Sequence, residues 1–402
     1  MLLAHSFGAL NYIQANLDCL LILIRNKSYQ ITFSPNATRV TWIKNLKLFD
    51  LLKEKMSNIP KDKKLADIPV SVLDLVPILA GKTATDSFQR SLELAQHVER
   101  LGFKRFWMAE HHNMAGIASS ATSILIGYIA GGTSTIRVGS GGIMLPNHAP
   151  LVIAEQFGTL ESLYPGRIDL GLGRAPGTDQ LTAMALRRDI RGAGTEFPDN
   201  VQELQSYLAP ANPTTRVRAV PGEGLNIPIW LLGSSTYGAQ LAGLLGLPYA
   251  FASHFAPSLL QAALQVYRDS FQPSATLSRP YAMVAVNAVV AATDAEANYL
   301  ASSIYLSFLN VIRGTSKTLQ PPTDNLDELW EPSEKYAVKQ MLRYSFVGSP
   351  QTVKNKLQGF LNETQADEIM IVSHIFDQAA RLRSYELISE IWQRKEVENL
   401  TN

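Results

Sequence analysis

The sequence predicts an α/β fold, a TIM-type (β/α)8 barrel with insertions after strands 4 and 7. Three observations lead there. From Pro69 onward, short runs rich in β-branched and aromatic residues alternate with amphipathic stretches whose apolar positions recur every three or four residues. Eight such runs can be counted, most of them followed by a helix, an order that favours a closed barrel over an open doubly wound sheet. The 402 residues are 46% hydrophobic and 18% charged, which is enough apolar material for a large core.

The elements follow in order. The first strand is expected over 70–73. A helix is expected over 83–101, with Phe88, Leu92, Ala95 and Val98 on one face and Gly102 as its terminator. Strand 105–108 and helix 119–130 come next, then strand 136–139, helix 150–163 and strand 167–172. A long irregular stretch, 174–226, carries one helix over 199–208. Strand 229–232 precedes helix 236–245, and strand 249–252 precedes helix 259–271. A long strand, 281–292, leads to helix 295–312, and a polar, proline-bearing insertion spans 314–332. Two helices bracket the last strand, 368–372.

The first 55 residues lack this pattern. The apolar run 17–24 is interrupted by Asp18 and falls far short of the ~20 residues a membrane helix needs. No positive region precedes it and no small-residue cleavage site follows closely. Met56 opens a short polar leader, so residues 1–55 read as a non-catalytic N-terminal extension and 56–402 as the functional domain. The net charge of +1 gives no pull toward nucleic acid or an anionic membrane. Cys19 is the only cysteine, which excludes an intramolecular disulfide, makes a cysteine-built metal site implausible and is consistent with the cytoplasm.

Four motifs sit at expected strand ends, the face where parallel barrels place their chemistry. Glu110-His111-His112 follows the second strand, and paired imidazoles there can move protons near neutral pH. The competing reading is a pair of loop histidines that only satisfy hydrogen bonds. A zinc site lacks the helical spacing and the carboxylates it would need. Gly139-Ser140-Gly141-Gly142 ends the third strand, as either a tight turn or a close approach to a flat ligand. Gly171 to Gly177 follows the fourth strand and carries Arg174, a bidentate phosphate donor. Leu232-Gly233-Ser234-Ser235 ends the fifth strand before a helix, with hydroxyls and N–H groups suited to an anion. Each of these last two reads as an ordinary turn on its own; together they can converge on one phosphate.

The ordered set Ala109-Glu110-His111-His112-Asn113, Leu145-Pro146-Asn147-His148 and Pro165-Gly166-Arg167-Ile168-Asp169-Leu170-Gly171-Leu172-Gly173-Arg174 strongly resembles the luciferase-like flavin monooxygenases, in particular a bacterial subgroup. Trp230 to Ser235, Ala252-Ser253-His254-Phe255 and Ala366 to Met370 agree with it, and the resemblance runs from about Val70 to Trp392. It implies a barrel with FMN across its mouth. His111 matches the family's catalytic histidine and His112 its neighbour. Gly141-Gly142 falls where the family has a non-prolyl cis peptide against the flavin, Arg174 matches the FMN phosphate ligand, and Ser234 and Ser235 fall in the phosphate loop. Gly173 and Ser234 replace a reactive cysteine and a glutamate of the light-emitting members, which argues against bioluminescence but not against flavin.

The resemblance therefore implies an FMN-dependent monooxygenase that uses reduced FMN, supplied by a separate flavin reductase, and O2 on a small organic substrate. A homodimer is expected on the same ground. A deazaflavin-dependent hydride-transfer enzyme and a non-catalytic flavin-binding protein are the rival readings.

Overall fold

The computed structural model describes residues 63–175, 177–186, 196–210 and 214–393, all within the compact unit Pro60–Asn402. The expected extension, 1–55, lies outside the described residues.

Eight parallel strands close into a barrel: β1 (Val70–Asp74), β2 (Arg105–Met108), β3 (Arg137–Ser140), β5 (Ile168–Gly173), β6 (Ile229–Gly233), β7 (Tyr249–Phe251), β8 (Ala282–Val290) and β10 (Glu368–Val372). Closure is made by β10, which pairs with β8 (Ile371↔Val286) and with β1 (Met370↔Ser71). These are the eight runs anticipated from sequence, with edges moved by a residue or two. Two further strands lie outside the ring. β4 (Ile143–Met144) pairs with the end of β5, and β9 (Ser345–Gly348) pairs with the half of β8 that extends past the barrel. β4 is too short to leave a periodic signal. β9 is stabilised by an edge that exists only once β8 is in place.

Among the described residues, eleven α-helices accompany the strands. α1 (Ala84–Arg100) starts at Thr83, whose hydroxyl accepts from the Asp86 N–H while the Asp86 carboxylate accepts from the Thr83 N–H. It ends before Gly102, at φ +81°, a conformation open to glycine and costly to other residues. α2 (Thr122–Gly131) and α3 (Pro150–Leu163) follow β2 and β4. The long segment after β5 contains α4 (Gln180–Leu186), which the sequence did not suggest, and α5 (Phe197–Leu208), which it did. α6 (Thr236–Leu244) and α7 (Leu260–Ser270) flank β7, and α8 (Asp294–Ile312) follows β8. α9 (Pro332–Met341), α10 (Pro350–Thr364) and α11 (Gln378–Gln393) complete the outer layer.

The largest core cluster fills the space between the barrel's outer face and the helices, with Val72, Phe106, Leu170 and Val284 fully buried. The barrel's interior is layered by the two-residue period of its strands. One inward layer is ionic. Arg105 donates to Asp169 at 2.6 Å and to Glu368 at 3.0 Å, and Glu368 also accepts from Tyr281 at 2.9 Å and from Ser71. The next layer toward the C-terminal end is apolar, with Leu73, Trp107, Trp230, Met283 and Met370. Trp107 and Trp230 meet edge to face at 5.2 Å. The barrel is therefore plugged, and a ligand can enter only above this layer.

Candidate active site

Because all eight strands run the same way, the residues that follow them emerge on one face. There they line a cavity of about 480 Å³. His111 reaches it from the end of β2, Gly141 and Gly142 from β3, Arg174 from β5, and Ser234 and Ser235 from β6. Six of the seven residues singled out from sequence thus share one wall system, although they span 124 positions from His111 to Ser235.

One corner gathers groups that can donate to an anion. The exposed Arg174 guanidinium lies over the Tyr237 ring at 4.3 Å, which fixes its plane while leaving its edge free to donate. Ser235 is the N-cap of α6, but its hydroxyl makes no cap bond. The first N–H groups of that helix have no intrahelical acceptor and sit beside the Ser234 and Ser235 hydroxyls.

The Gly141–Gly142 peptide is cis. Space is tight at both positions, against backbone at Gly142 and against the end of a leucine side chain at Gly141. A Cβ on Gly141 would stand 2.7 Å from Leu73 Cδ1, and one on Gly142 would stand 2.7 Å from the Gly171 carbonyl oxygen. The backbone here is pressed between the Leu73 side chain and β5, and it forms a flat part of the cavity wall.

The two sequence-adjacent histidines diverge. His111 lines the cavity, and its Nδ1 donates to the Gly177 carbonyl at 3.3 Å. A carbonyl only accepts, so the proton of the neutral ring lies on Nδ1 and Nε2 carries the lone pair. Burial holds the His111 pKa below the ordinary imidazole value. His112 is not part of the cavity lining. Its Nε2 donates to Glu110 at 2.8 Å, and His148 Nε2 donates to the same carboxylate at 3.0 Å. The Met144 N–H adds a third donor at 3.0 Å. Glu110 is 1% exposed. Burial pushes its pKa up, but the bonds from His148, His112 and Met144 outweigh this and the net shift is downward. Glu110 thus ties the loop after β2 to the segment after β4, and this knot holds His111 at the mouth.

Two lining histidines were not singled out from sequence. His254 stands three residues past β7 and His374 two residues past β10. Burial depresses the His254 pKa to about 3, with His374 and His111 adding to the effect. His374 falls to about 4 through burial and the nearby Arg381 charge. All three imidazoles are therefore neutral at physiological pH. A search of every strand end, rather than of motifs, would have found them. Among the described residues, no three His, Cys, Asp or Glu side chains are placed to hold a metal ion.

A strap from the insertion after α8 crosses the mouth. Leu319 exchanges backbone bonds with the loop after β1, its N–H donating to Ile78 at 2.8 Å and its carbonyl accepting from Ala80 at 2.9 Å. The Ser316 hydroxyl accepts from the Ala115 N–H at 2.8 Å. Phe308, Val311, Leu319 and Met341 thereby give that side of the cavity an apolar wall.

A closed parallel barrel whose strand-end histidines, arginine and serines converge above a plugged interior is the architecture of the TIM-barrel class. The luciferase-like monooxygenase profile matches residues 68–368, and the chain belongs to that family. It is 55% identical over 324 residues to a luciferase-like monooxygenase of Escherichia coli K12, covering 81% of this chain and 97% of that one. Among solved structures it is similar to apo-MsnO8, with a TM-score of 0.76 and 37% identity over 82% of this chain and 99% of the other. Likeness in fold alone extends to the FMN complex of 3,6-diketocamphane monooxygenase (TM-score 0.60, 18% identity; 81% and 97% covered). It extends equally to an F420-dependent secondary alcohol dehydrogenase (TM-score 0.61, 13% identity; 82% and 100% covered). Among the described residues no helix is long and apolar enough to cross a membrane.

Proposed function

We propose that this chain is an FMN-dependent monooxygenase that oxidises a small organic substrate with O2. The observation that carries the reading is the meeting of an anion corner, a flat glycine wall and a neutral histidine in one cavity. The donor set suits a flavin mononucleotide: Arg174, Ser234, Ser235 and the α6 N-terminus for the phosphate, Gly141–Gly142 for a planar ring. Reduced flavin, when bound, supplies the electrons that activate O2.

The chain's own part is to bind, exclude water and manage protons. His111 Nε2, held as a lone-pair nitrogen by the bond from Nδ1 to Gly177, can take a proton from the reacting centre. The Trp107–Trp230 layer below and the Leu319 strap above shield the cavity from bulk water. His112, set against Glu110, serves as a positioning residue for its neighbour.

Purified protein given chemically reduced FMN and O2 should convert a member of a substrate panel to a product heavier by one oxygen atom, read by mass spectrometry. The fold likeness to an F420-dependent dehydrogenase supports a second reading, hydride transfer to a deazaflavin without oxygen. Tight binding of F420 with no affinity for FMN would replace the first reading by the second. A separate flavin reductase is proposed as the source of reduced FMN. A homodimer is proposed on the exposed Ile124 and Tyr128 of α2 and Val152 and Leu163 of α3, with sedimentation velocity as its test.

A further inference from the structure

Four observations converge on His254. Its backbone is pinned: the Ser253 hydroxyl donates to the Ala285 carbonyl at 2.6 Å, and Asn287 Nδ2 donates to the His254 carbonyl at 2.6 Å. Its ring is set edge to face against Phe255 at 4.8 Å. Only 8% of the residue is exposed, and it lines the cavity. Its Nδ1 is buried with no hydrogen-bond partner in the protein. Buried polar atoms in folded proteins are nearly always paired, so an unpaired ring nitrogen on a residue that lines a cavity marks a place where a ligand can supply the partner once the ring turns about its Cβ–Cγ bond.

We propose that His254 is the hydrogen-bonding anchor of the substrate, and that the substrate is an uncharged molecule with an apolar body and one hydrogen-bonding group. The inference rests on the reading of this cavity as an FMN monooxygenase site. Among the described residues no carboxylate lines the cavity, so a cationic substrate finds no counter-charge there. The charged lining residues among those described are Arg174 and Lys317, both exposed; Arg174 belongs to the anion corner and Lys317 to the strap at the rim. Most of the remaining wall is apolar, with Leu75, Ile117, Phe308, Val311 and Met341 among it, beside the uncharged polar side chains of Ser307, Asn310, Thr315 and Ser316. A neutral imidazole partners a neutral donor or acceptor, and the depressed pKa of His254, with that of His374 nearby, agrees with this. An ion placed there would lose its hydration without compensation.

Equilibrium dialysis of FMN-loaded protein against four probes of one size, 2-hexanol, 2-hexanone, hexane and hexanoate, tests this. 2-Hexanol offers both a donor and an acceptor and so suits either tautomer of His254. The expected order places 2-hexanol about two- to tenfold above both hexane and hexanoate, the scale of one net hydrogen bond. His254→Leu should abolish the preference for 2-hexanol over hexane and leave FMN affinity within about twofold. His254→Asn, which keeps a polar group, should retain part of the preference and guards against a folding defect in the leucine variant. An unchanged preference in folded His254→Leu overturns the assignment. So does hexanoate binding above 2-hexanol, or a loss of FMN affinity in place of probe affinity. If wild-type protein fails to bind FMN, the monooxygenase reading falls, while dialysis of the flavin-free protein still reads the His254 preference.

Discussion

Replacing Glu110 by Gln tests whether the knot beneath His111 is electrostatic. The wild-type carboxylate accepts from His112 at 2.8 Å, from His148 at 3.0 Å and from the Met144 N–H at 3.0 Å. An amide keeps one acceptor oxygen but turns its NH2 toward a group that is itself a donor. At least one charge-assisted bond is lost and a buried N–H is left unsatisfied, for a combined cost of about 2–4 kcal/mol. With an unfolding entropy of about 2.1 cal/mol/K per residue, a domain of this size should lose roughly 3–6 °C in Tm. The pH dependence carries the sign. The folded pKa of Glu110 lies below its ordinary value of 4.5, so its contribution is present above 4.5 and is lost as pH falls through the lower folded value. The difference in Tm between wild type and Glu110→Gln should therefore be full at pH 7 and shrink below pH 4.5. Thermal scans at pH 7 and at several values below 4.5 check this, with FMN affinity measured in parallel. Equal Tm values at pH 7, or a gap that widens in acid, would refute the reasoning.

Three further outcomes are expected. Arg174→Ala should weaken FMN binding by about ten- to a hundredfold and riboflavin binding far less, since only FMN carries the phosphate; fluorescence titration reads both, and equal losses would remove Arg174 from the anion corner. His111→Ala should cut product formation by about 10²–10⁴-fold at little cost in Tm, and single-turnover oxidation with excess reduced FMN separates this from a structural role, which would lower Tm and spare turnover. Because burial holds the His111 pKa below 6.5, the wild-type rate should show no inflection from this group above pH 6.5. A chain shortened to begin at Met56 should fold and bind FMN as the full chain does, and loss of soluble protein or of FMN affinity would contradict the expectation for residues 1–55.

The sequence by itself determined the fold class and the eight barrel strands. Burial on both faces makes such strands short and apolar, and the intervening helices carry their own period, so both signals are local. It also determined the strand-end motifs, because in a parallel barrel a residue just past a strand is at the mouth whatever the loop does next. Only the tertiary structure separated His111 from His112. The two are chemically alike and adjacent, and their directions are decided by Gly177, which the chain brings up from another segment, and by Glu110, whose carboxylate is itself held by Met144 and His148 from beyond β3. It alone also joined His254 and His374 to His111, and formed β9 on the free edge of β8. Each of these depends on closure of the ring through β10 and β8 or on an edge that closure leaves open. A contact between residues more than a hundred positions apart has no local periodicity to announce it, so it becomes visible only when the barrel shuts.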